Sequence, residues 1–358
     1  MSKSSLIILL YLLISLISGC QAVVVNSKKL EGISLIPQYN DQSAGLTGYT
    51  NDINKCNWYG NSMIETPRKY QDPYRIKYHP SYSINRWMAV EGRIGNDKRY
   101  PIVLDTGASV TLFVNDIHIM ENHLAFSPMK SSNNDPAGWG KCYLPKLNIG
   151  QVTLTNWPCY YREQHAEYRL FGLPVAREKA VIAGLGALRK FKYVMFDSIH
   201  EEVELSLVKT FEPENQNSWT KYSFDIEEEL TGNTFLYVKI PLAGKETELQ
   251  LDTGSGKGLA VSEELWKKIC QRVPHIRLIR DKDLYPYIGL LSCKRGVIPE
   301  INVGDRTIKN AGISIFPDNS PIVDRCPGLI GMQYFQDTII VLDFERNLLW
   351  IKNTKQKA

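Results

Sequence analysis

The sequence predicts an all-β fold of two tandem domains, and three observations predict it. Short aliphatic segments alternate with turn residues, a set of landmarks occurs twice in the same order, and one spacing is identical in both copies. The first copy reads Tyr100-Pro101-Ile102-Val103-Leu104-Asp105-Thr106-Gly107-Ala108-Ser109, the second Glu248-Leu249-Gln250-Leu251-Asp252-Thr253-Gly254-Ser255-Gly256. Downstream, Pro145-Lys146-Leu147-Asn148-Ile149-Gly150 and Pro299-Glu300-Ile301-Asn302-Val303-Gly304 match as Pro-x-aliphatic-Asn-aliphatic-Gly, each with a Thr three residues on. Val181-Ile182-Ala183-Gly184 then corresponds to Gly328-Leu329-Ile330-Gly331, and 79 residues separate Asp105 from Gly184 and Asp252 from Gly331 alike. Each copy closes on an aliphatic strand ending in a Phe/Asp pair, Val194 to Asp197 and Val341 to Phe344.

In chain order, residues 1–19 have the form of an export signal. Lys3 precedes an apolar run of 12 residues, Leu6 to Ile17, broken only by Ser15. A helix that spans a bilayer needs about 20 residues, so this run suits a signal peptide instead. It ends in Ile17-Ser18-Gly19-Cys20, which resembles the lipobox of bacterial lipoproteins, whose cysteine is lipidated. That resemblance implies export and a lipid anchor in a bacterial membrane, with Gln21 leaning toward the outer one; an ordinary cleaved signal with an incidental Cys20 is the other reading. Residues 20–84, polar and weakly periodic, read as a tether merging into an edge element, or as a propeptide that sets Arg68-Lys69 or Arg75-Ile76-Lys77 on active-site carboxylates.

The first domain is placed at 85–211. Val90 to Ile94, a Gly95-Asn96-Asp97 turn and Ile102 to Leu104 form a hairpin that delivers Asp105. A polar linker covers 212–225. The second domain, 226–358, repeats the hairpin with Phe235 to Pro241, Ala243-Gly244-Lys245 and Leu249 to Leu251, and Leu259 to Ile269 has helical spacing.

The charge balance excludes some classes. Forty-two basic and 38 acidic residues leave a formal charge of +4 with no dense basic run, so no nucleic-acid partner is expected. No His-Glu-x-x-His or Gly-x-Ser-x-Gly occurs, the six histidines are scattered singly, and no metal or other cofactor is expected. Setting Cys20 aside, six cysteines remain (56, 142, 159, 270, 293 and 326); in an exported chain they read as disulfides or as buried thiols.

A strand that ends in Asp-Thr-Gly presents a carboxylate at a tight turn. Two such elements related by a pseudo-two-fold axis bring Asp105 and Asp252 together in an interdomain cleft. Carboxylates about 3 Å apart cannot both ionise, so one acts as base on a water while the other, protonated, polarises a carbonyl. From about residue 87 to 352 the chain resembles the aspartic peptidases, pepsin-like and retropepsin-like, which carry aliphatic-Asp-Thr-Gly followed by a later aliphatic-x-Gly. The resemblance implies acid-protease β-barrels, a catalytic dyad of Asp105 and Asp252, interlocking hydroxyls at Thr106 and Thr253, turn residues at Gly107 and Gly254, and a Ser255 hydroxyl bonded to the neighbouring carboxylate. It also implies an extended polypeptide substrate and a monomeric enzyme. Ser109 and Gly256 depart from the acidic residue of the retroviral pattern. No flap tyrosine aligns; Gly138-Trp139-Gly140 is the candidate flap tip, or a loop with a buried Trp. The competing functional reading is a protease-fold lipoprotein without activity that serves binding or assembly.

Overall fold

The computed structural model of the protein describes residues 20–26, 63–82, 86–95, 98–124, 126–128, 139–162, 164–171, 173–229, 233–271, 276–285 and 289–353. Residues 1–19, read as an export signal, residues 27–62 with Cys56, Asn96 and Asp97 of the first expected turn, and Gly138 lie outside them. Of the described residues strands make up 58% and helices 11%, an all-β architecture, and a six-stranded barrel closes within it.

Both sequence hairpins form, as Ala89–Ile94 with Lys98–Asp105 and as Thr234–Leu242 with Lys245–Asp252. Side chains of a strand alternate between faces. Ile102 and Leu104 therefore enter the main core with Leu249 and Leu251, while Val103 sits on the opposite face, shared with Asp105.

Hydrogen-bond pairing closes a ring in each half. In the first, the order is Ala89–Ile94, Lys98–Asp105, Val181–Gly184, Leu112–Asn115, Val152–Arg162 and Trp139–Ile149, which returns to the start. In the second it is Thr234–Leu242, Lys245–Asp252, Gly328–Gly331, Leu259–Ser262, Arg306–Phe316 and Gly289–Val303. Parallel and antiparallel pairings fall at the same places in both. The repeated spacing ends on equivalent register partners: Asp105 lies opposite Gly184 in one parallel pair and Asp252 opposite Gly331 in the other.

A further antiparallel sheet joins the halves. Tyr193–Asp197 pairs with Ile339–Asp343, so the two aliphatic strands that close each sequence copy meet, with Met195 opposite Val341. Glu202–Ser206 and then Tyr74–Lys77 flank one side; Leu348–Lys352 and then Trp219–Glu228 flank the other. The stretch expected to be a tether thus contributes strands. Tyr74–Lys77 is an edge element, with Arg75 on Glu204 (2.7 Å) and Lys77 on Glu202 (2.8 Å), so these cations neutralise sheet carboxylates and not the dyad. The start of that stretch, Cys20–Asn26, adds to Gln164–Leu170 and Leu173–Arg177 in a three-stranded sheet.

Other local expectations are refined. Leu259 to Ile269 divides at Ser262, whose hydroxyl accepts the Leu265 N–H at 3.1 Å and starts the helix Glu263–Cys270 after a strand. Trp139 and Gly140 sit within a long strand, with Gly140 opposite Tyr161, so the described part of that tripeptide is not a hairpin tip. Among the described residues no disulfide is formed: Cys142, Cys159, Cys270, Cys293 and Cys326 are free thiols, although Cys142 and Cys159 are cross-strand neighbours.

Candidate active site

Asp105 and Asp252 end equivalent strands on the face turned away from the barrel cores, and both line one cleft of about 490 Å³. The next residues lock the two strand ends together. Thr106 Oγ1 donates to the Leu251 carbonyl and Thr253 Oγ1 to the Leu104 carbonyl, each at 2.6 Å. In return, Thr253 Oγ1 accepts the Thr106 N–H (3.0 Å) and Thr106 Oγ1 accepts the Thr253 N–H (3.1 Å). Both threonines are fully buried, so every one of these groups would be unpaired without its partner.

Glycine at the following position is a matter of space. A Cβ on Gly107 would lie 2.6 Å from the Asp252 carboxyl carbon, and one on Gly254 2.3 Å from that of Asp105. Each turn therefore presses its backbone against the carboxyl of the other half. The aliphatic-x-Gly elements close around the same turns: a Cβ on Gly184 would reach the Val110 carbonyl oxygen at 2.0 Å, and one on Gly331 the Lys257 carbonyl oxygen at 2.4 Å.

The two carboxyl groups lie close enough to interact, each against the glycine turn of the other half. Burial raises the affinity of both for a proton, and for Asp252 the charge of Asp105 adds to burial and holds it well above the usual carboxylate range. Asp105 is raised by burial but opposed by the Gly107 and Ala108 N–H groups, which donate to its Oδ1 at 2.8 and 3.0 Å. Two interacting acids in one buried site favour one proton on the pair, which titrates as a unit. The Ser255 hydroxyl accepts the Lys257 N–H at 3.3 Å.

The walls hold residues that the motif search did not single out. On the first half, Trp87, Val103, Phe113 and Ile182 make an apolar side. On the second, Gln250 Nε2 donates to the Gly107 carbonyl at 3.2 Å. Strand alternation could have flagged Gln250, since two residues before Asp252 it must share that residue's face, where the first copy has Val103. Lys257 pairs with Asp283 (2.9 Å), which also accepts the Ser314 hydroxyl (2.7 Å), and stands 4.6 Å from the centre of the Tyr285 ring. Burial opposes the Asp283 charge, but these bonds and Arg295 prevail and hold it below the usual carboxylate range. Tyr285 and Asp283 come from a hairpin with no counterpart in the sequence landmarks, and nothing local marked them.

Among the described residues no cluster of His, Cys, Asp and Glu suits a metal ion. No model of a protein family matches the chain, and no curated protein matches it.

Proposed function

We propose that this protein is an aspartic endopeptidase whose two halves are tandem acid-protease-like domains related by a pseudo-two-fold axis. One observation carries the reading: two carboxyl groups, each against the other half's glycine turn, held by reciprocal threonine bonds and lining one cleft. Fold stability gives no reason to bury two facing acids, because like charges in one site oppose folding. The matching ring order of the two halves supports the axis.

The reaction follows from one proton on the pair, with Asp252 taken as the acid and Asp105 as the base. Asp105, ionised, takes a proton from a water bound between the carboxyls, and the water oxygen attacks the peptide carbonyl carbon. Asp252 passes its proton to the carbonyl oxygen, giving a neutral tetrahedral diol. Asp105 then returns its proton to the amide nitrogen while Asp252 recovers one from a diol hydroxyl. The C–N bond breaks, and both acids are back in their starting states. The open cleft, walled by both halves, suits a polypeptide in extended form.

The sequence supports export and a lipid anchor at Cys20, on the periplasmic or surface side of a bacterial outer membrane. Among the described residues no helix is long and apolar enough to cross a membrane. The test is cleavage of an unstructured protein such as reduced, alkylated casein, with and without pepstatin. Asp105→Asn and Asp252→Asn should each lower the rate by at least about 10³-fold, since one carboxyl cannot complete both transfers. If both variants cut as fast as the parent, the peptidase reading fails and a binding or assembly role takes its place.

A further inference from the structure

Gln164–Leu170 and Leu173–Arg177 form a hairpin outside the closed rings, and its tip is apolar. Phe171, Leu173 and Val175 are 65%, 69% and 58% exposed. Phe171 adopts φ of 50°, a left-handed conformation that a bulky side chain takes at an energetic cost. An aromatic residue held in that conformation, with most of its ring in water, gains little from the protein to offset the cost.

The neighbouring strand supplies the occupant. Cys20–Asn26 pairs antiparallel with Gln164–Leu170, and Cys20 lies opposite Leu170, the residue before Phe171. The cysteine expected to carry lipid therefore begins its strand at the hairpin tip with no slack between them. An acyl chain on Cys20 would enter the bilayer where Phe171 and Leu173 already project.

We infer that this tip is a membrane-docking element that inserts its apolar residues into the phospholipid leaflet entered by the Cys20 anchor; the inference rests on the lipid-anchor reading. Arg169 and Arg177, each paired with Glu167 at 3.0 Å, stand behind the tip and limit its depth to the headgroup boundary. The same hairpin reaches the cleft, since Ala166 and Tyr168 line its wall. Three residues of strand separate Tyr168 from Phe171, about 10 Å at the usual rise. Docking by the tip thus holds the cleft beside the bilayer surface and favours polypeptide segments that emerge from the membrane.

The test uses the full chain, purified from membranes and reconstituted in vesicles of phosphatidylcholine and phosphatidylglycerol. Parent and Phe171→Trp are compared, and mass spectrometry reads the acylation of Cys20. The indole added by the substitution should emit at shorter wavelength than in detergent-free water and be quenched by acyl chains brominated near the headgroup. In a Cys20→Ser background, which lacks the anchor, Phe171→Ser with Leu173→Ser should weaken vesicle binding about tenfold, with far-UV circular dichroism unchanged. An acylated protein whose added indole is neither shifted nor quenched overturns the docking inference alone. A Cys20 without acyl chains overturns the anchor reading and the inference with it. Neither result depends on turnover, so both stand apart from the peptidase test.

Discussion

Asp252 is the residue at which function and stability oppose each other. Burial and the Asp105 charge hold its carboxyl well above the usual range, so the folded state keeps a proton that the unfolded chain releases near pH 4. The sign follows directly: the group favours folding below its unfolded pKa, and that contribution is lost as pH rises toward the folded value. Asparagine cannot ionise. Asp252→Asn should therefore be inactive yet more stable than the parent at pH 7, by about 1 kcal/mol or more, with the difference vanishing at pH 4. Urea midpoints at both pH values read it, and equal midpoints at pH 7 would show that the carboxyl is not strained by its neighbour. The threonines carry the opposite expectation. Thr253→Val keeps the shape but leaves the buried Leu104 carbonyl and Thr106 N–H unpaired, at a cost of about 1–3 kcal/mol. Thr106→Val should cost the same within error, since its bonds mirror them. Unequal losses would mean that the two halves do not share the lock evenly.

At the scale of elements, what was legible in the sequence is what repeats or alternates locally. The 79-residue spacing was legible because it occurs twice, and in both copies it ends on residues paired in one parallel register, Asp105 with Gly184 and Asp252 with Gly331. Both hairpins were legible because aliphatic alternation and a turn of Gly, Asn or Asp lie within a few residues of one another. The hairpin with Asp283 and Tyr285 and the one tipped by Phe171 were not, because their composition is ordinary, nor was the strand at Cys20, whose partner Gln164–Leu170 lies far along the chain. The disulfide expectation failed for a related reason: an even count of cysteines says nothing of which ones meet, and of those described only Cys142 and Cys159 pair across strands, as thiols. The legible glycines also allow the firmest prediction about an element. Gly331→Ala places a methyl group 2.4 Å from the Lys257 carbonyl oxygen, and backbone there cannot yield without moving the turn after Asp252. The variant should lose about 1–3 kcal/mol in urea unfolding and most of its activity together. Full activity at parental stability would show that the turn is free to move.

Over the whole molecule, the dyad exists only if the halves hold a fixed relation, because each contributes one acid. Two connections set it: the threonine lock beneath the carboxyls, and the sheet in which Tyr193–Asp197 pairs with Ile339–Asp343. The lock is small and wholly polar; the sheet is where burial can supply binding energy. Val194, Phe196, Ile340 and Leu342 are fully buried in the same core cluster as Leu104 and Leu251, so apolar packing runs without a break from the sheet into both barrels. A core continuous in this way should unfold as one unit. Leu342→Ala removes a fully buried side chain remote from the dyad and should cost about 2–5 kcal/mol. Hydrogen exchange read by mass spectrometry places that loss. Peptides covering 102–106 and 249–253 should exchange with one opening free energy in the parent and lose equal amounts in the variant. Loss confined to 249–253 would mean that each half opens on its own. The pairing of Asp105 with Asp252 would then depend on the threonine lock alone, and turnover would fall with temperature well before either barrel melts.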